Sequence, residues 1–279
     1  MTDQLKSAVP TIGVFDSGFG GLTVLRALIE QLPRAWFAFL GDTARLPYGS
    51  KSPRTIARYA QESAQFLVRE QGAEFLVIAC NTASAVALDA IQEAVPVPVL
   101  GVIEPGAEAA RAASRTGDVL VVATEATVHS HAYAAACHAR GLRVLEKACP
   151  LLVPLVEEGW TGHPVTAEVI EIYLNELRAE AASLAMNPDT LVLGCTHYPL
   201  LRRLFEGAVR PGVKVIDSAE SAAQAAARLF NGYAEGAGAT ALETEVRCFA
   251  TDSVDKFERL GSRFLDRPVG HVELIDLGG

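Results

Sequence analysis

VIACNTAS, residues 77–84, and LVLGCTHYPL, residues 191–200, are two versions of one pattern. Each runs from an apolar, β-type stretch through a small residue to a cysteine, then into small polar groups that open a helix. They lie in opposite halves of the chain. An apolar run without polar alternation is what a parallel strand covered on both faces requires. The pair therefore predicts two buried strands, each ending in a thiol. Matched thiols from the two halves suit a reaction that takes a proton from one face of a carbon and returns one to the other.

The same alternation continues outward. Short apolar runs near 11–15, 35–40, 74–79, 97–101, 118–123, 142–147, 189–194 and 213–216 predict strands, with helical patterns between them. The clearest helix is 53–71, introduced by Ser52-Pro53 and closed by Gly72. It carries Ile56, Tyr59, Ala60, Ser63, Phe66 and Leu67 on one stripe. Alternation on this scale predicts an α/β fold of two Rossmann-like, doubly wound domains with mainly parallel sheets and right-handed crossovers. We place the first domain at 1–100 plus 217–279, carrying Cys80, and the second at 101–216, carrying Cys195. The Pro/Gly passage VPVLGVIEPG (97–106) is the expected hinge, AEGAGATALE (234–243) a surface loop, and the first ten residues a frayed tail.

Half of the 279 residues are apolar and 20% are charged, so the chain is globular and large enough for two domains. A net charge of −9, with Lys and Arg scattered, argues against a nucleic-acid partner. MTDQLKSAVP lacks the apolar core of a signal peptide, and no stretch approaches the roughly 18 apolar residues of a membrane span. Five cysteines, an odd number with no CxxC pair, argue for reduced thiols rather than a disulfide framework. The expectation is a cytoplasmic protein without membrane attachment.

Four further segments bear on chemistry. In GVFDSGFGGLTVL (13–25) a strand ends at Asp16-Ser17, and a Gly-rich turn leads to a helix near Leu22, where backbone N–H groups can receive an anion. A dinucleotide fingerprint would need a third glycine where Thr23 stands, which makes that reading weak. In GDTARLPYGSKS (41–52), Pro47, Tyr48 and Gly49 form a turn able to present a hydroxyl and an N–H to a ligand. At the two strand ends, N–H dipoles are expected to favour the thiolates of Cys80 and Cys195, while Asn81, Thr82, Thr196 and His197 supply donors for an amino acid's charged groups. Cys137, Cys149 and Cys248 read as core residues. Cys80, Cys195 and His197 lack the spacing of a metal site, and His129 and His131 read as surface groups, so no metal is expected. CPLLVPLVEEGW (149–160) ends in Glu157 and Glu158, either solvated acids or, for one of them, the partner of a cysteine–histidine pair.

FDSGFGGLTVL, GDTARLPYGSKS, IACNTASA, ACPLLVPLVEEG and GCTHYPLL, in that order, closely resemble the glutamate racemases of the cofactor-independent aspartate/glutamate racemase superfamily. ATEATVHSHAY (123–133) and FATDSVDKF (249–257) fit the same family. The resemblance implies two domains related by pseudo-twofold symmetry, with glutamate enclosed between them and no cofactor. It implies Cys80 and Cys195 as acid/base thiols, Asp16 assisting Cys80, and His197 assisting Cys195 with Glu157 behind it. Asp16, Ser17, Pro47, Tyr48, Gly49, Asn81, Thr82, Thr127, Thr196 and His197 would hold the substrate. A homodimer and D-glutamate supply for peptidoglycan are the implied assembly and role.

Three other readings stay open at the level of sequence. A sister racemase or isomerase of the superfamily would share these motifs with a different side-chain length. A cysteine hydrolase using Cys195 with His197 as base would leave Cys80 without a task. A catalytically silent binding protein would have no use for two intact thiols.

Overall fold

The computed structural model describes residues 10–234 and 244–278. The expected tail and surface loop lie outside them, except for Pro10 and for Ala234, which closes a helix. The strands are β1 (Thr11–Asp16), β2 (Trp36–Gly41), β3 (Phe75–Ile78), β4 (Val99–Gly101), β5 (Asp118–Ala123), β6 (Arg143–Ala148), β7 (Thr190–Gly194), β8 (Lys214–Asp217), β9 (Val246–Ala250) and β10 (Val272–Leu274). The helices are α1 (Leu22–Gln31), α2 (Pro53–Arg69), α3 (Asn81–Val86), α4 (Leu88–Ala94), α5 (Ile103–Ala113) and α6 (Glu125–Ser130). They continue with α7 (Ala132–His138), α8 (Leu152–Glu157), α9 (Pro164–Ser183), α10 (Arg202–Ala208), α11 (Ser218–Ala234) and α12 (Val254–Leu265). Among the described residues no helix is long and apolar enough to cross a membrane.

These strands build two all-parallel sheets, in the orders β10-β9-β2-β1-β3-β4 and β6-β5-β7-β8. The winding repeats: in each sheet the first strand is followed by one neighbour on one side and the next on the other. Both sheets therefore reverse direction at a corresponding point, between β1 and β3 and between β5 and β7. Ligands of open α/β sheets bind outside the carboxyl ends of the strands at such a reversal. Cys80 follows β3 and Cys195 follows β7, so the topology alone aims both thiols at ligand crevices.

Burial accounts for the strand sequences. Ile12 and Val14 of β1 face a core that runs through both halves of the molecule and includes Leu120, Val122, Leu191 and Leu193. Phe15, with Leu76 and Ile78, faces a second core under α2 and α4. With both faces covered, no position of these strands can be polar without a partner. Ser52 caps α2, its hydroxyl accepting from the Thr55 N–H at 3.4 Å, and Gly72 at φ +67° turns the chain toward β3. The passage expected as a hinge is regular at both ends, forming β4 and the first turn of α5, where Pro105 is tolerated. Gly106 packs closely there: a Cβ would sit 3.1 Å from the Tyr133 ring, which would have to shift.

Candidate active site

A cavity of about 210 Å³ lies between the two sheets' halves, and both thiols line it. Of the expected site residues it also takes Ser17, Pro47, Tyr48, Gly49, Asn81, Thr82, Glu157, Thr196 and His197. Asp16 and Thr127 do not reach its wall. Among the described residues no Lys or Arg lines it; the polar lining is hydroxyls, the Asn81 amide, His197 and the carboxylates of Glu125 and Glu157. Asn81 and Thr82 open α3, where N–H groups precede the helix's own hydrogen-bond ladder.

Cys80 is the N-cap of α3. Its thiol donates to Ser17 Oγ at 3.5 Å and accepts from the Ala83 N–H at 3.4 Å. The helix start was expected to favour the thiolate. Instead burial, reinforced by the charge of Asp16, pushes this thiol up to about 12. A six-residue helix with two weak sulfur contacts does not offset the loss of water. Asp16 is buried, near enough for its charge to act on this thiol. The Gly18 N–H donates to Oδ2 at 3.0 Å, and Oδ1 has no partner among the described residues. Burial raises this carboxyl above the ordinary range, with the charge of His197 and the N–H groups of Gly18 and Gly21 opposing it. A raised, half-satisfied carboxyl next to a buried thiol is suited to hold or pass a proton.

Cys195 differs locally. It is followed by a turn and a 3-10 helix over Tyr198–Leu201, so α10 starts later than the pattern around Cys80 suggests. Cys195 Sγ lies 3.9 Å from His197 Nδ1, and His197 Nε2 lies 3.3 Å from Glu157 Oε1. Burial works against a charged imidazole, but hydrogen bonding and charge from Cys195 and Glu157 outweigh it and push His197 up to about 10. Burial would raise Glu157 in turn; His197 and Lys256 hold it below the ordinary carboxylate range. Glu158, the neighbouring acid, is exposed.

Two glycines let the halves meet. A Cβ on Gly20 would fall 2.4 Å from Thr196 Oγ1 and 2.6 Å from His197 Nδ1, and one on Gly21 would strike Asp16. Thr23, standing where a dinucleotide fingerprint needs glycine, donates its hydroxyl to Thr196 O at 3.1 Å. It ties α1 to the loop carrying the second thiol.

Several expectations need correction. The Tyr48 hydroxyl does not face a ligand: it donates to Asp42 Oδ2 at 2.5 Å, inside the fold. Burying a phenol demands a partner, and Asp42, also held by Arg45 and Thr251, supplies it. Tyr48 thus shapes the wall with its ring. Asn81 has its amide engaged, donating to Ser218 Oγ at 3.1 Å and accepting from Tyr133 OH at 2.8 Å. Thr127 sits behind Thr124, 2.9 Å away, and both bond to Thr82 across the cleft. Thr124 is the one on the cavity, and sequence reasoning missed it, along with Phe19, Glu125 and Val153. Cys137, Cys149 and Cys248 are buried, and His129 and His131 are exposed, as expected.

The sequence model of the Asp/Glu/Hydantoin racemase family matches residues 12–226. A curated glutamate racemase of Koribacter versatilis is 53% identical, over 97% of this chain and 98% of that protein. Among solved structures, glutamate racemase isoform RacE1 from Bacillus anthracis aligns with a TM-score of 0.88 at 36% identity, covering 97% of this chain and 98% of that one. The glutamate racemase of Francisella tularensis, solved with D-glutamate, gives 0.86 at 36% identity with the same coverage.

Proposed function

The chain belongs to the Asp/Glu/hydantoin racemase family, and from that membership we propose that it interconverts L- and D-glutamate with two thiols and no added cofactor. As an amino-acid racemase it is an isomerase. The observation that carries the reading is the placement of Cys80 and Cys195 on one small cavity, each with its own proton-handling partner. Glutamate is the favoured substrate because the relatives named above are glutamate racemases, one solved with D-glutamate. D-glutamate for peptidoglycan, in the cytoplasm, is the role that follows.

An α-proton is far less acidic than a thiol, so the cavity must stabilise the charge left on the substrate. Its hydroxyls and helix-start N–H groups are placed to bind a carboxylate that becomes enediolate-like, in a space too small to keep many waters. One sulfur must be anionic and the other protonated at the start. Cys80, pushed up to about 12, rests as the thiol. His197, pushed up to about 10, puts an imidazolium beside Cys195, a counter-charge for an anionic sulfur. In the opposite direction the roles exchange, with Asp16 accepting from the Cys80 side and His197 donating on the other. Acid–base assistance of this kind is worth on the order of 10²–10⁴-fold.

The test is racemisation of glutamate followed by circular dichroism, using purified protein without cofactor. Wild type should racemise glutamate faster than aspartate, and Cys80→Ala and Cys195→Ala should each abolish the reaction. Full activity in either variant refutes the two-thiol reading. An acyl-enzyme burst with Cys195 alone would favour a hydrolase.

A further inference from the structure

The contacts around α12 single out Lys256. Its Nζ lies 3.5 Å from Glu157 Oε2, the oxygen not used by His197, and 5.6 Å from the centre of the Phe19 ring that lines the cavity. Lys256 and Glu157 come from different halves of the fold: α12 packs beside α1 and the first sheet, whereas α8 precedes α9 on the second. The helix is seated firmly at this point. The neighbouring Phe257 is buried against Phe19 and Phe39, at ring-centre distances of 6.5 and 5.9 Å. Two turns on, Phe264 sets its ring edge-on to His197 at 5.1 Å.

We propose that Lys256 is a positioning residue for the Cys195 side of the cavity: it fixes the Glu157 carboxylate, which orients His197 against Cys195. This rests on the two-thiol reading and assigns a role to the C-terminal helix, which contributes no group to the cavity wall. A carboxylate bonded only through one oxygen can swing about its last torsion. With Lys256 on the other oxygen, its plane is set and the imidazole's tilt is set with it. Among the described residues Asp16 has no lysine or arginine ion pair: the Gly18 N–H donates to its Oδ2, and the charge of His197 is the cation that bears on it. The two faces of the cavity are therefore supported differently, and loss of Lys256 should disturb the Cys195 side more than the Cys80 side.

The test compares Lys256→Met and Lys256→Arg with wild type, using L- and D-glutamate carrying hydrogen or deuterium at Cα. Enantiomers are equal in free energy, so kcat/KM must change by the same factor in both directions. That factor should be roughly two- to fivefold for Lys256→Met, the scale of a half-exposed ion pair. The deciding readout is the primary isotope effect on kcat/KM. When one of two proton transfers becomes slower, the effect should rise with the enantiomer deprotonated at that face and fall with the other. Lys256→Arg should restore the wild-type pattern, and Arg259→Met, an exposed change on the same helix, should leave it alone. An active Lys256→Met whose two isotope effects match wild type overturns the positioning role while leaving the two-thiol reading intact. A Lys256→Met with lower thermal stability and unchanged isotope effects shows a merely structural role and overturns it equally. A wild type without cofactor-free racemisation overturns both.

Discussion

His197 Nε2 stands 3.3 Å from Glu157 Oε1 while its other nitrogen faces Cys195. The carboxylate is one of the two groups that keep the imidazole protonated near neutrality, against the cost of burial. Glu157→Gln keeps the shape and removes the charge. The His197 pKa should fall from about 10 toward the ordinary value, read by NMR titration, and racemisation should drop on the order of 10- to 10²-fold. An unchanged titration would mean that Glu157 does not hold the proton.

The same shift carries a stability consequence. A histidine whose folded pKa lies above its unfolded one contributes stability fully below the unfolded value, and loses it as pH rises through the folded value. For His197 that window runs from 6.5 to about 10. The unfolding free-energy difference between wild type and His197→Asn should be constant below about pH 6 and shrink steadily toward pH 10. A difference independent of pH across that range would contradict a charged His197.

Gly20 is where the first half's turn passes beneath the second half's histidine. Gly20→Ala puts a methyl 2.4 Å from Thr196 Oγ1 and 2.6 Å from His197 Nδ1, so the loop carrying the second thiol must move. A misplacement near 1 Å can reduce rate roughly 10²-fold. Steady-state kinetics should show that loss with a folded protein by far-ultraviolet circular dichroism. Wild-type turnover would show that the loop tolerates the displacement.

Tyr48→Phe separates stability from catalysis. The lost hydroxyl serves Asp42, not the ligand, so Asp42 keeps Arg45 and Thr251 but gives up its shortest bond. Denaturant titration should show a loss of about 1–3 kcal/mol, with kcat changed by less than about threefold. A large fall in kcat at wild-type stability would return the hydroxyl to the substrate.

Eight of the ten strands among the described residues are legible in the sequence, most plainly β1, β3, β5 and β7, where burial on both faces forces apolar runs. β9 and β10 are not. Val246 and Arg247 keep solvent contact, and of the three residues of β10 only Val272 is buried. β10 is a short strand at the sheet edge, and β9, paired on both sides, is buried only over its last three residues, so neither offers a long apolar run to read. The thiols and the groups next to them in the chain were legible, since local spacing places them at strand ends. What failed depends on how the folded chain turns side chains toward or away from the cavity. Asp42 claims the Tyr48 hydroxyl through the fold of an intervening turn, and Thr124 and Thr127 differ only in how far each reaches. The Cys80 thiol shows the same limit: its helix start is local and visible, but the burial that outweighs it is not.

Cα labelling in deuterated water tests the two-thiol mechanism most directly. L-glutamate, sampled at early conversion by NMR and mass spectrometry, should yield D-glutamate carrying deuterium at Cα while the remaining L-glutamate keeps its hydrogen, because the receiving thiol exchanges with solvent and the abstracting one returns what it took. The mirror-image result should hold from D-glutamate. Deuterium entering the unreacted enantiomer as fast as the product, or hydrogen retained in the product, would contradict two thiols acting from opposite faces.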